Sequence, residues 1–507
     1  MPHSPDTDAV NHRRALLFIS ASFAIDILLI AVTRLGLSAD EAHYWDWSRQ
    51  LDLAYYSKGP MVAYVIRLPT AICGDTAFAV RRPAAILQSI FLVLFYRFAA
   101  SLSGSEIAFK AMVLFRSTLM VSACGVAMTT DPLIAVFWMV ALSGGYAAVI
   151  RQESRGWWVF GIATGFAFLS KYTAAILLPS MALFLVVSGG SRAQWRRFGL
   201  SCGVVGLASI PVIWWNAQHG WVNVAHNLGH VGASRSSLRI RPEKFLELVG
   251  GQLGLIGPLL CAALLVLTFR VLTRRRESAP RELFLASFVA PLLLMCVVVS
   301  FTKSVYANWP FPAFIGAMLL LVVKWNESAP VWRQADTLYR RSLFFHLPIL
   351  AIAYLLYLGV TFWVPPQFLP TKKLVGGPEL GARVEELLRS ANKELFVITE
   401  NYDTAALIAF YAPSHPYAMV DVIDGRRMNQ YDVWGGWEYL VGRDALIVVK
   451  DFASVGKIRD RFDSIEPYAG AGENSLAIQY GGETLRTFHF FRARNFSGEP
   501  PQVPTSR

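Results

Sequence analysis

Apolar residues come in runs long enough to cross a bilayer, for which about 20 residues are needed. They lie at 15–33, 83–100, 111–127, 132–150, 172–187, 198–215, 248–269, 283–301, 305–323 and 343–364. A shorter run, Trp157 to Leu169, makes an eleventh. Near Pro365 and Pro366 the pattern changes to mixed, water-compatible sequence, which predicts helix at Glu385–Asn392 and Asp403–Tyr411 and strand at Glu394–Thr399, Ala445–Val449 and Thr487–Phe491. Alternation of that kind makes a small α/β domain. The expected fold class is therefore a polytopic α-helical membrane protein, residues 1–364, of about eleven or more spans, followed by an α/β domain, residues 365–507. No glycine-rich phosphate loop follows any predicted strand, so the tail is not expected to bind a nucleotide.

Composition agrees with a membrane class: the chain is 54% hydrophobic and 16% charged, with mean hydropathy +0.41, where a soluble domain carries about a quarter charged residues. The net charge of +12 does not point to nucleic acid, because the arginines cluster in short loops between apolar runs, where positive charge sets orientation. With a cytoplasmic N-terminus and all eleven runs crossing, Arg151 and Arg155, then Arg192, Arg196 and Arg197, then Arg270, Arg274, Arg275, Arg276 and Arg281, then Lys324, Arg333, Arg340 and Arg341 fall inside. The first run follows Arg13-Arg14. It exceeds the roughly 7–15-residue core of a secretory signal and reads as a retained helix. Five cysteines lie singly in or beside apolar stretches, a spacing that suits neither a disulfide framework nor a Cys-based metal site.

This topology puts the 34–82 loop, the Thr129-Thr130-Asp131-Pro132 turn, the 216–247 loop and the tail on the outer face. The first outer loop breaks the charge rule by keeping Arg49, Lys58, Arg67, Arg81 and Arg82, which suggests an anionic ligand there. Within it, Pro60 to Ile72 predicts a short helix with Met61, Tyr64, Val65, Leu68 and Ile72 on one side, suited to lie along the bilayer surface.

The same loop carries the candidate chemistry. Asp40 and Glu41 open the stretch Asp40-Glu41-Ala42-His43-Tyr44-Trp45, directly behind the first span, and Ser57-Lys58-Gly59-Pro60 follows. A carboxylate that deprotonates a hydroxyl and a cation that steadies a departing phosphate suit displacement at a phosphate-linked carbon. Helix capping by Ser38 or Asp40 explains the acids equally well from spacing alone. Asp131, followed by Pro132, reads first as an N-terminal cap, and its outer-face position makes it a second candidate catalytic residue. Lys171 and Lys303 interrupt apolar runs at the outer face. They either snorkel to water or, with Lys58 and Arg82, line a phosphate pocket. His219, His226 and His230 have no metal-site pattern around them and read as surface histidines. Asp26, inside the first span, is either functional or paired with a neighbouring helix.

With these residues in place the chain resembles polyprenyl-phosphate-sugar-dependent glycosyltransferases of the GT-C fold, in the bacterial branch that includes aminoarabinose transferases of lipid A and relatives of protein O-mannosyltransferases. The resemblance rests on Asp40-Glu41-Ala42-His43-Tyr44, Ser57-Lys58-Gly59-Pro60, Asp131-Pro132 and Leu169-Ser170-Lys171-Tyr172. In the tail it rests on Asn401-Tyr402-Asp403-Thr404-Ala405 and Asn429-Gln430-Tyr431-Asp432-Val433-Trp434. It implies Asp40 as general base, Lys58 as a ligand of the donor phosphate, a lipid-phosphate monosaccharide as donor, and inversion at the anomeric carbon. The aminoarabinose transferases have an acidic residue before the lysine that helps bind a divalent metal; this chain has Ser57 there.

The expected function is sugar transfer at the periplasmic side of a bacterial inner membrane to an envelope lipid, glycan or protein, the outer domain covering the site or selecting acceptors. Protein O-mannosyl transfer is the nearest alternative. A lipid or sugar transporter is the alternative from another class, although transporters place polar sites at mid-membrane between repeated halves. A ligand sensor would need far fewer spans.

Overall fold

The computed structural model describes residues 5–230, 240–325, 335–360, 365, 368–391, 393–421, 429–470 and 472–498. Pro366, Arg333 and the last residues of the run expected to end at 364 lie outside these. Helices follow in the order α1 (Pro5–Val32), α2 (Ala39–Arg49), α3 (Met61–Cys73), α4 (Ala77–Ser103), α5 (Ser105–Arg116), α6 (Leu119–Ala123), α7 (Thr130–Val149), α8 (Ser154–Ser170) and α9 (Leu177–Ser188). Then come α10 (Arg192–Gln218), α11 (Val222–His230), α12 (Pro242–Ile256), α13 (Pro258–Thr273), α14 (Pro280–Ser287), α15 (Ala290–Ser300), α16 (Phe311–Lys324) and α17 (Ala335–Tyr357). The tail adds α18 (Gly377–Ser390), α19 (Tyr402–Tyr411), α20 (Gln430–Trp434) and α21 (Ala453–Ile458).

Two compact units divide the chain. One contains Met1–Ala31, Lys58–Val62 and Arg81–Tyr354; the other contains Val32–Ser57, Ala63–Val80 and Leu355–Arg507. Residues 34–82 thus belong largely with the tail.

The first unit is a helical bundle. Among the described residues five helical segments are long and apolar enough to cross a membrane, Thr7–Val32, Ala77–Ser103, Thr130–Val149, Arg192–Gln218 and Pro280–Ser300, or six if the bent pair α12–α13 is one span. Tyr172–Ser188 and Phe311–Lys324 are apolar but shorter. Two runs that read as continuous are broken. The run at 248–269 bends by 110° where Gly257 takes φ +89° and Pro258 starts the next helix, a pairing that ends one helix and begins another. The run at 111–127 stops at Ser117, and Thr118 then caps α6 by accepting from Val121 N. Hydropathy averaged over a span-length window passes over both breaks, because the few polar residues there, Arg116, Ser117 and Thr118, are outnumbered by apolar ones.

Within this unit α7 and α8 approach closely because Gly144 and Gly156 face each other's helices. A Cβ at Gly144 would lie 2.8 Å from Phe160 N, and one at Gly156 would meet the backbone of Ala148. Small residues at helix crossings are a common packing device in lipid. Trp138, Phe160 and Phe284 are fully buried nearby. Leu16, Leu17 and Leu28 of α1, and Leu200, Leu207 and Trp214 of α10, are more than half exposed. An apolar surface of that extent is tolerable only against lipid.

The second unit contains a six-stranded sheet. Its strands are β1 (Phe396–Thr399), β2 (Ala418–Val420), β3 (Ala445–Val449), β4 (Phe462–Pro467), β5 (Ser475–Tyr480) and β6 (Glu483–Phe496). The order is β2-β1-β3-β6-β4, with β5 also on β6. β1 pairs in parallel with β2 and β3 (Ile398 opposite Met419 and Ile447), and β6 runs antiparallel to β3 (Ile447 opposite Phe491). The predicted helices and strands of the tail are present. α18 starts earlier than expected, at Gly377, because Pro378 occupies its first turn rather than breaking it. β5 and β6 form a hairpin through Gly481 and Gly482, both at positive φ, as the tightest hairpin turns require. α3 presents Leu68 and Ile72 outward, 68% and 73% exposed, with Val62 and Ile66 buried, the face that periodicity assigned.

Candidate active site

In the first unit a buried polar cluster forms at the head of α7. The cap there is Thr129, whose hydroxyl accepts from Asp131 N at 3.2 Å. The expectation that Asp131 is itself the cap is corrected: Asp131 sits two residues further in, within the first turn, and its side chain is turned to other partners. Lys171 Nζ donates to Asp131 Oδ1 at 2.7 Å, and Asn308 Nδ2 donates to Asp131 Oδ2 at 2.5 Å. The side chains of Lys171 and Asp131 are only 6% and 7% exposed. Lys171 is where α8 ends, in extended conformation, and this redirection turns its side chain onto α7.

The segment Lys58–Val62 belongs to the same unit. A Cβ at Gly59 would collide with the backbone carbonyl of Leu169, so the glycine lets the two backbones touch. Lys58, half-buried, is thereby carried to the corner two residues before Lys171. Arg81 is buried and Arg82 half-buried on α4. Lys303 is directed elsewhere: its ammonium donates to the carbonyl of Gly229 near the C-terminal end of α11, a site where a cation is favoured. Asp26 has found a partner on a neighbouring helix, Arg116 Nη2 at 2.6 Å, and Arg116 also donates to Ser122 Oγ and Tyr354 Oη.

Two of these residues escaped sequence reading. Asn308 was absorbed into the apolar run 305–323, and Arg116 into 111–127. In each case one polar residue inside an apolar stretch was the available signal.

The acid pair lies in the second unit, on α2. Ser38 caps the helix: its Oγ accepts from Glu41 N at 3.2 Å, and Glu41 Oε2 accepts from Ser38 N at 2.9 Å, closing a capping box. Glu41 is 1% exposed. Asp40, the residue before it, is exposed. The two acids are thus divided, Glu41 to the cap and Asp40 to the surface at the positive end of the helix dipole.

His43, one turn on, is enclosed by Tyr431 (stacked, 5.4 Å between centroids), Tyr402 (4.9 Å) and Trp47 (4.8 Å). Its Nε2 is buried without a hydrogen-bond partner. Burial pushes its pKa down to about 3, while it pushes Asp46 up and Asp432 up to about 6. Between about pH 3 and pH 6.5 the unfolded chain holds a proton on His43 that the folded one does not, so this residue's contribution to stability is lost as pH falls through that window. The slope approaches about 1.4 kcal/mol per pH unit. The two aspartates act with the opposite sign, since their folded forms hold the extra protons, Asp432 between about pH 4 and 6 and Asp46 from the ordinary carboxylate range upward. His43→Phe keeps the stacking and removes the buried nitrogen. Its melting temperature, measured against wild type, is expected to be unchanged or higher at pH 7 and to gain steadily as pH is lowered from 6.5 to 4.

Among the described residues no three His, Cys, Asp or Glu side chains converge as metal ligands.

The sequence matches the family described as dolichyl-phosphate-mannose-protein mannosyltransferase over residues 57–215, the stretch that holds Lys58, Asp131 and Lys171. The lipid A galacturonosyltransferase RgtD of Rhizobium johnstonii is 27% identical over 404 residues, which cover 78% of this chain and 81% of the relative. An undecaprenyl phosphate-α-4-amino-4-deoxy-L-arabinose arabinosyl transferase of Pectobacterium atrosepticum is 25% identical over 62% of this chain and 59% of its own length. Among solved structures, ArnT from Cupriavidus metallidurans bound to undecaprenyl phosphate superposes with TM-score 0.62 at 15% identity, covering 94% of this chain and 97% of that one. The archaeal oligosaccharyltransferase AglB from Archaeoglobus fulgidus gives TM-score 0.51 at 14% identity, over 86% and 69%. The chain shares the fold of the ArnT structure over most of its length, and it is a membrane glycosyltransferase of the GT-C fold.

Proposed function

We propose that the protein moves a monosaccharide from a polyprenyl-phosphate donor to an acceptor of the lipid A or lipopolysaccharide class, at the periplasmic side of a bacterial inner membrane. Its N-terminus is cytoplasmic, and the outer loops and tail are periplasmic. The buried Lys171–Asp131–Asn308 cluster, beside the Gly59–Leu169 contact that brings in Lys58, carries this reading. An ammonium has three N–H donors; Asp131 takes one of Lys171's and fixes its direction, which supports a role for the others on phosphate oxygens.

In this reading the acceptor hydroxyl attacks the anomeric carbon as Asp40 takes its proton. The bond from that carbon to the phosphate oxygen breaks, and the electron pair leaves with the polyprenyl phosphate. One displacement inverts the anomeric centre. Lys58 and Lys171 offset the charge that grows on the departing phosphate, as preorganised donors do, with Arg82 as a supplementary cation. Glu41 serves the helix cap rather than the proton. A lipid-borne donor accounts for a catalytic chain without a nucleotide-binding loop.

The lipid A galacturonosyltransferase relative, matched over most of both chains, favours an envelope-lipid acceptor. The match over 57–215 supports a second reading, transfer of mannose to protein. Purified protein incubated with radiolabelled undecaprenyl-phosphate sugars, galacturonic acid, aminoarabinose and mannose among them, tests both against lipid A and peptide acceptors. Label on lipid A is the expected result, label on peptide selects the second reading, and unconsumed donor carried across a proteoliposome membrane would identify a transporter.

A further inference from the structure

We propose that the C-terminal α/β domain is the template that holds helix α2, and that Tyr431 and Gln430 are positioning residues for Asp40; this rests on the reading of Asp40 as the base. An isolated helix of this length does not hold together in water. Its composition is unusual as well: Glu41 to Ser48 are buried without a break, so between its exposed ends, Asp40 and Arg49, α2 has no solvent-facing side.

The tail contributes to those surroundings through ties to the backbone on both flanks and two side-chain bonds on the helix. Before α2, Gly36 N donates to Leu374 O at 2.8 Å, and Leu37 N donates to Tyr411 Oη at 2.5 Å. After it, Tyr56 N donates to Gln430 Oε1 at 2.7 Å. On the helix, Tyr431 Oη donates to Asp46 Oδ2 at 2.8 Å, and Arg49 Nη2 donates to His415 O at 3.0 Å. The Trp45 ring meets Phe410 edge-on at 4.9 Å. Tyr411 is itself gripped by glycines: a Cβ at Gly36 would lie 2.7 Å from its hydroxyl, and one at Gly377 2.5 Å from its ring.

These contacts account for the tail motif Asn429-Gln430-Tyr431-Asp432, which the chemistry of transfer leaves unused. Asn429 and Asp432 close a capping box on α20. That box presents Gln430 and Tyr431 together, one to the chain leaving α2 and the other to its last turns. Asp46 stands six residues beyond Asp40, about 9 Å along the helix axis. Releasing that end lets the whole helix shift, and a displacement of about 1 Å at a reacting group costs up to ~10²-fold in rate.

The test uses the full chain in nanodiscs with an undecaprenyl-phosphate sugar that it consumes. Tyr431→Phe and Gln430→Ala are expected to lower kcat by about 10- to 100-fold and leave KM for the lipid donor within about twofold. Hydrogen exchange of amides 39–49 is expected to rise at least about tenfold, with α10 unchanged. Asp46→Asn still offers an oxygen to Tyr431 and is expected to stay within about threefold of wild type. Either an unchanged kcat or unchanged exchange in both Tyr431→Phe and Gln430→Ala overturns the proposal. Asp40→Asn runs alongside: if it stays active, the base assignment is what fails, while exchange still judges the template independently of any substrate.

Discussion

Asp40→Asn is expected to slow sugar transfer by about 10²- to 10⁴-fold, the range associated with losing a general base. The change is nearly isosteric and removes the charge, and with it the ability to accept a proton. Asp40 is exposed, and its favourable term with the helix dipole is worth about 0.3–1 kcal/mol. The informative control is Glu41→Gln. Glu41 Oε2 accepts from both Ser38 N and Ser38 Oγ, and a glutamine oxygen can take over both bonds. That variant is expected to keep most of its activity and to lose no more than about 1 kcal/mol of stability. Steady-state transfer with both variants, normalised to folded protein, decides which carboxylate acts. Asp40→Asn at the wild-type rate, or Glu41→Gln as the weaker enzyme, would remove Asp40 from the mechanism.

Lys171→Met is expected to destabilise the bundle by about 3–5 kcal/mol, because it leaves the Asp131 carboxylate buried with no cation beside it. Among the described residues, Asn308 and Thr129 would remain to solvate it. Replacing both partners, Lys171→Met with Asp131→Asn, is expected to recover most of that loss, since a buried pair exchanged for neutral groups of similar volume costs little. Unfolding midpoints in detergent for the two singles and the double give the coupling directly. The double variant then separates stability from function: a folded protein that still fails to consume lipid donor supports a direct role for Lys171 at the phosphate. If the single and double variants unfold together, the pair contributes no coupling, and Lys171 is held by packing alone.

The cluster shows how much of the site was legible. Asp131 and Lys171 stood out as charges at the ends of apolar runs, because placing a charge beside lipid is expensive and calls for a reason. That they bind each other was not legible. They are 40 residues apart, and only the turn of the chain at the end of α8 aims the lysine at α7. Asp26 and Arg116 repeat the case across 90 residues. Capping went the other way. The local spacing of Ser38 and Glu41 carries the whole capping box, yet the competing catalytic reading uses the same residues, and burial was needed to divide them.

Sequence alone determined the membrane class, the helical bundle, the change of pattern before the tail, and the alternation of strands and helices beyond it. Hydrophobic periodicity is a local property that responds to bilayer thickness and to helix or strand pitch, so a window of some twenty residues contains it. Tertiary structure decided where the apolar runs break, which charges pair, and that residues 32–57 and 63–80 form one compact unit with the tail. Those outcomes depend on contacts between residues far apart in the chain. Tyr431 reaches Asp46 across 385 positions, and the free energy of such a contact has no local signature. It arises only when folding removes both groups from water and obliges each buried donor to find an acceptor.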